Sequence, residues 1–214
     1  MSLHRSGGDH PDGVHDPLAG SGFLALPQLS PAVRRLYDSD VEDVGYVMNL
    51  SRLWAHLPGT QDALFELLAR ATTAGSLTSR QRGILVSACA STLGDAYCSL
   101  AWGTRLASET GAAQAGRLLQ GDDDGLDAAD QALARWARRI TEDPNGTAPD
   151  DVQALRDAGH DDTEIFAITL FVALRIAFST VNDALGARPD PQLAAGAPEE
   201  VRTAVSFGRP VSDG

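Results

Sequence analysis

The sequence predicts an all-α protein. Helical periodicity runs from Ser30 to Gly186, Gly and Pro breakers recur between the periodic stretches, and no stretch alternates apolar and polar residues as a half-buried strand would. The 214 residues are enough for one sizeable core or two very small ones. The organisation adopted is one helical domain, 29–188, between an N-terminal tail, 1–28, expected to be disordered, and a C-terminal extension, 189–214.

Residues 1–28 are rich in Gly, His, Asp and Pro without periodicity, so they cannot bury enough surface to offset their ordering entropy. His4, His10 and His15 lie there at irregular spacing and are read as solvated side chains, not metal ligands. Ser39 or Asp40 caps the first helix, which carries Val44, Val47, Met48, Trp54 and Leu57 on its apolar side and stops at Pro58 and Gly59. A second helix spans Thr60 to Ala74, with Leu64, Leu67 and Leu68 as its stripe and Gly75 as a left-handed cap. Thr78 opens a third, which runs to Leu93. Gly94 breaks it, and Asp95 caps the next helix, which ends near Gly111. A short AAQAGRLLQ helix and the turn GDDDG follow. Asp122 to Asp124 lack the alternate spacing and terminal Glu of a calcium loop. The helix from Leu126 to Glu142 buries Ala129, Leu133, Trp136, Ala137 and Ile140. After the Pro144–Gly146 loop come a short helix, Ala148 to Ala158, an exposed His160, and a long helix from Asp161 to Gly186. Its apolar stretch, Ile165 to Phe178, carries Arg175, is too short to span a bilayer and reads as a core helix. RPDPQLAAGAPEE is linker-like, and the last residues are expected to wrap the surface or a partner subunit.

Composition excludes several functions. A formal charge of −12 disfavours nucleic acid and anionic membranes as partners. All seventeen basic residues are Arg. Without an ε-amine there is no Schiff-base catalysis, no pyridoxal-phosphate anchor and no phosphate-loop lysine. The Ala, Gly and Arg excess behind this fits GC-rich codon usage. Cys89 and Cys98, nine residues apart in apolar sequence, are not the cysteine framework of a secreted scaffold, and the N-terminus lacks the apolar run of a signal peptide, so a cytoplasmic setting is expected. No Ser-His-Asp order, Gly-rich nucleotide loop or zinc spacing occurs, and no metal or cofactor is implied.

Chemistry concentrates at the break before Cys98. A cysteine at the third position of a helix meets free N–H groups and the positive end of the dipole, which favour its thiolate. Asp95 opposes this with a second negative charge, so the two influences partly cancel. An inert buried thiol is the competing reading of Cys98. Asp95 itself reads either as an N-cap worth about 1 kcal/mol or, in an apolar pocket, as a carboxylate able to transfer protons.

These segments together resemble the alkylhydroperoxidase AhpD-like and carboxymuconolactone decarboxylase superfamily, in particular its peroxidase-related branch. The resemblance covers about residues 40 to 188, through MNLSRLWAHLPG, SRQRGILVSACASTLGDAYC, DQALARWARRITEDP, DDVQALRDAGHDDTEIFAITLFVALRIAF and NDALG. It implies an AhpD-like helical bundle, a homo-oligomer and a small binding pocket at the start of the cysteine-bearing helix. The family's active pattern is Glu, eleven residues, Cys-x-x-Cys, three residues, His. Its positions fall here on Gly83, Asp95, Cys98 and Trp102, so only the second cysteine is kept. Tyr97 matches the branch's Cys-x-Tyr-Cys form, and His56 its His-x-Pro position.

A dithiol peroxidase needs one thiolate to attack and a second thiol to resolve the sulfenic acid. Asp95 cannot resolve it, and Gly83 and Trp102 cannot move protons as Glu and His do. Cys89 precedes Gly94 by five residues, roughly 7 to 8 Å along a helix, and reads as structural. Three readings stand. The first is a repurposed enzyme on a small organic substrate, with Asp95 as acid or base, Tyr97 as hydrogen-bond partner and Trp102 shaping the pocket, while His56 reads as structural or, alternatively, as a substrate-binding residue. The second is a one-cysteine peroxidase using Cys98. The third is a non-catalytic binding or structural subunit.

Overall fold

The computed structural model describes residues 22–212, and His4, His10 and His15 lie outside that range. The chain opens with α1 (Pro31–Val44), where Ser30 Oγ accepts the Val33 N–H, Pro31 supplies the first helical residue, and Gly45 closes the helix at φ 87°. The single helix expected from residue 40 to residue 57 is therefore two. Gly45 stops α1, and α2 (Asn49–Trp54) begins after a short extended link. Asp40 does not cap its own helix. It is buried inside α1, and its Oδ2 accepts the Met48 N–H at 3.0 Å, which anchors the start of α2. Val44 and Leu57, expected to face inward, are 46% and 68% exposed.

In α3 (Thr60–Ala74) Leu68 and Ala71 are buried, whereas Leu67 points outward. Gly75 has φ −87°, and the left-handed conformation expected there falls on Ser76, at φ 50°. The centre of the molecule is α4 (Ser79–Leu93), opened by a reciprocal Thr78–Gln81 capping box and buried at every position from 83 to 90. Around it pack α5 (Ala96–Thr110), α6 (Ala112–Leu119), α7 (Ala128–Glu142) and α9 (Asp162–Ala184), with α8 (Pro149–Asp157) bridging α7 and α9. Pro144–Gly146 is a single 3₁₀ turn. Ile84, Leu85, Leu106, Leu118, Leu133, Leu155, Ile168 and Val172 fill this main core. Asp123 does more than turn the chain, since it pairs with Arg138 at 2.7 Å. His160 is not exposed as expected: its side chain is 10% exposed and its Nδ1 lies 3.4 Å from Glu164.

The whole of α9 is 23 residues, so by length and apolar content it could cross a membrane, contrary to the reading of its shorter apolar stretch. Here it packs against α3, α4, α7 and α8. Phe166, Leu170, Ala173, Ala177 and Val181 form an outward stripe along it.

The segment read as a linker contains two helices, α10 (Pro191–Gly196) and α11 (Glu199–Ala204). Missing side chains on α5 and α6 make room for α11. A Cβ on Gly103 would lie 2.9 Å from Val201 Cγ1, and one on Gly116 would lie 3.0 Å from the Glu200 carbonyl oxygen. At the other end the Phe23 N–H donates to the Leu185 carbonyl at 2.8 Å, and Arg209 covers the Phe23 ring.

Candidate functional site

A second, smaller cluster of Leu50, Leu53, Ala90, Tyr97, Cys98, Phe178 and Ala187 lies beside the main core, with Trp102 bridging the two. It forms where α4 breaks into α5. Gly94 takes the left-handed conformation at φ 75°, and Asp95 N-caps α5 through Oδ1, which accepts the Cys98 N–H at 2.9 Å. From that start Cys98, Ala101, Trp102 and Arg105 follow at intervals of three and four, which puts them on one face of α5. That face lines a pocket of about 300 Å³ whose other walls include Met48 just before α2, Leu50 of α2, Phe65 of α3, and Arg175 and Phe178 of α9.

Arg175 is the unusual group in this pocket. It is 3% exposed and lies 5.2 Å from the Trp102 ring centre and 5.0 Å from that of Phe178. Its Nη2 donates to Cys98 Sγ at 3.4 Å. Among the described residues no carboxylate pairs with it, and its buried Nε has no hydrogen-bond partner. Aromatic faces offer a cation about 1 to 2 kcal/mol, which is small beside the several kcal/mol needed to desolvate an ion.

Cys98 is a thiol, not a thiolate, at neutral pH. Burial first, and then the Asp95 charge, push it far above the usual thiol range; Arg175 pulls it back without offsetting them. Burial also raises Cys89, and both cysteines are free.

Tyr97, Cys98 and Trp102 come together at the pocket, while Asp95 and His56 do not line it. Asp95 is fully buried, and its Oδ2 has no hydrogen-bond partner. Its charge bears on Asp183, which burial first and Asp95 second push up to about 7. His56 is exposed just beyond α2. The Tyr97 hydroxyl donates to Asp190 Oδ2, and Asp190 Oδ1 accepts the Asn49 N–H at 2.9 Å. Asn49 Nδ2 in turn donates to the Arg188 carbonyl and to Ser212 Oγ, so the pocket wall is tied to the C-terminal segment. Trp54 stacks on Phe178 and donates to Asn182 Oδ1 at 2.9 Å, which holds that wall in place.

Sequence reasoning missed Arg175, Arg105 and Asp190 as site residues. Arg175 had a signal, being the one charge within an apolar stretch of α9. Asp190 had none, because its partners are Asn49, 141 residues away, and Tyr97, 93 residues away.

The chain is similar to two solved structures. An uncharacterized peroxidase-related protein from Silicibacter sp. TM1040 superposes with a TM-score of 0.72 at 18% identity, over 85% of this chain and 97% of that one. An alkylhydroperoxidase AhpD core, an uncharacterized peroxidase-related protein from Ralstonia eutropha JMP134, gives a TM-score of 0.69 at 19% identity, over 88% of this chain and 98% of that one. The fold is AhpD-like. No family model and no curated protein matches the chain. In this AhpD-like fold Gly83 packs against Leu106, Asp95 caps α5, and Trp102 stands beside Arg175, so the positions to which the resemblance assigns Glu, Cys and His are occupied by packing, a helix cap and an aromatic wall.

Proposed function

We propose that this AhpD-like protein has left dithiol peroxide chemistry and uses the pocket at the start of α5 to bind a small organic anion, flat and apolar over most of its body. The observation that carries this is Arg175, a buried guanidinium at a mostly apolar pocket with no carboxylate among the described residues to neutralise it. Buried charges are stable when paired, and a ligand oxyanion is the partner this geometry accepts. Phe65, Trp102 and Phe178 supply flat apolar walls. Asp95 does not line the pocket and takes no part in this binding.

Calorimetric titration with benzoate, benzamide as the neutral control, tests this reading. Benzoate is expected to bind and benzamide at least tenfold more weakly. Arg175→Gln is expected to weaken benzoate at least tenfold, while Cys98→Ser changes it little. Equal affinity for the acid and the amide would end the proposal. The contact between Arg175 Nη2 and Cys98 Sγ favours a second reading, a one-cysteine peroxidase, because a guanidinium stabilises a thiolate. The weight of burial and Asp95 on Cys98 places it second.

We propose in addition that the protein is a homo-oligomer held through the outward stripe of α9. Phe166 is 71% exposed and lies nine residues from Arg175, on the opposite side of the helix. Light scattering after size exclusion is expected to show an oligomer that Phe166→Glu with Ala173→Glu reduces to monomer. A wild-type monomer at 50 μM would refute it.

A further inference from the structure

Beside this pocket lies a second, more polar cleft of about 300 Å³ lined by Ser79, Arg82, Trp102, Arg105, Ser108 and Glu109. The two cavities share Trp102 and Arg105. Helix packing produces this meeting: α4 and α5 run antiparallel through the Gly94 break, so Arg82, in the first turns of α4, faces the later turns of α5, where Arg105 stands.

Arg105 lies 4.8 Å from the Trp102 ring centre, so one indole carries Arg175 on its inner side and Arg105 at the mouth. Neither Arg82 nor Arg105 pairs with a carboxylate among the described residues. Arg82 spends Nη2 on Ser79 Oγ at 3.1 Å, and its buried Nε has no hydrogen-bond partner. Glu109, on the rim of the outer cleft, approaches neither closely enough for an ion pair. Burial first, and then the charges of Arg175 and Arg82, lower the Arg105 pKa, as expected of three cations crowded together. In a chain with a net charge of −12, three neighbouring arginines left without acids are a local reversal of sign.

We propose that the ligand carries two oxyanions, one at each end of a flat apolar body: the first meets Arg175, the body lies along Trp102, and the second meets Arg82 and Arg105. This rests on the single-anion reading above and extends it to the class of ligand. Planar forked guanidiniums suit carboxylate and phosphate alike, and Ser79, whose hydroxyl only accepts from Arg82, keeps its proton to donate to either, whereas Ser108 donates to the Arg105 carbonyl.

Three probes of equal ring size separate the possibilities in calorimetric titration of the full chain: benzoate, terephthalate and 4-carboxyphenyl phosphate. At least one of the two probes with an oxyanion at each end is expected to bind tenfold or more tighter than benzoate, and which one does identifies the outer group. Arg82→Gln, at a position that lines only the outer cleft, is expected to cut that advantage at least threefold while leaving benzoate within twofold. Binding of both two-ended probes no tighter than benzoate, or an advantage unchanged in Arg82→Gln, would overturn the second site. Failure of benzoate to respond to Arg175→Gln would instead overturn the single-anion reading, so the two failures are distinguishable.

Discussion

Gly83→Glu, which restores the carboxylate that the family resemblance assigns to this position, is expected to unfold the protein. Gly83 is buried in the middle of α4, and a Cβ there already lies 3.2 Å from Leu106 Cδ1 and 3.3 Å from Leu106 Cβ. Leu106 is fully buried, so it cannot swing away without displacing the main core. A glutamate would add four more heavy atoms beyond that Cβ and bury an unpaired charge, and the charge alone costs several kcal/mol. Total stability for a domain of this kind is about 5 to 15 kcal/mol. The expected loss is more than about 4 kcal/mol, read as a fall in thermal midpoint or as insoluble expression. Gly83→Ala is the control. It gains up to about 1 kcal/mol of helix propensity against a tight but single contact, so it should stay within about 1 kcal/mol of wild type. A Glu variant that melts with the wild type would show that the Leu106 contact is not closed.

The second large effect concerns Cys98. Its rate of oxidation by cumene hydroperoxide at pH 7 is expected to fall below that of free cysteine by at least about 100-fold, since each unit by which a thiol pKa is raised removes another tenfold of thiolate. Burial and the Asp95 charge are the two main causes of that rise. Asp95→Asn separates them. Asn remains a good N-cap, so α5 keeps its start, while the charge beside the thiol is lost. Oxidation should then become faster by about tenfold, and Arg175→Gln should act in the opposite direction. Intact mass and free-thiol counts read both effects. If wild-type Cys98 gains an oxygen or a thiol adduct rapidly at one equivalent of peroxide, the one-cysteine peroxidase becomes the leading reading.

Particular residues show how far local sequence reaches. Thr78, Gly94, Asp95, Gly111 and Asp161 were legible because capping is decided within four residues, and the helix ends they set agree with the structure. The first helix was misread because Val47 to Leu57 continued an apolar pattern across Gly45. The stronger punctuation, Ser30–Pro31 at the start and Gly45 at the end, determined the outcome. Two short helices, α10 and α11, escaped because they hold their shape through packing on α5 and α6, not through propensity.

At the site the division is similar. Near neighbours in the chain suffice for the all-helical architecture, for the break that places Cys98 at the third position of α5, and for the lack of a cysteine at position 95. Only the tertiary structure decided that Asp95 is shut out of the pocket, that Tyr97 is bonded to Asp190, and that Arg175, Trp102, Arg105 and Arg82 converge. Those outcomes depend on which faces of α4, α5 and α9 meet. Burial of the common core sets that, and no single segment encodes it.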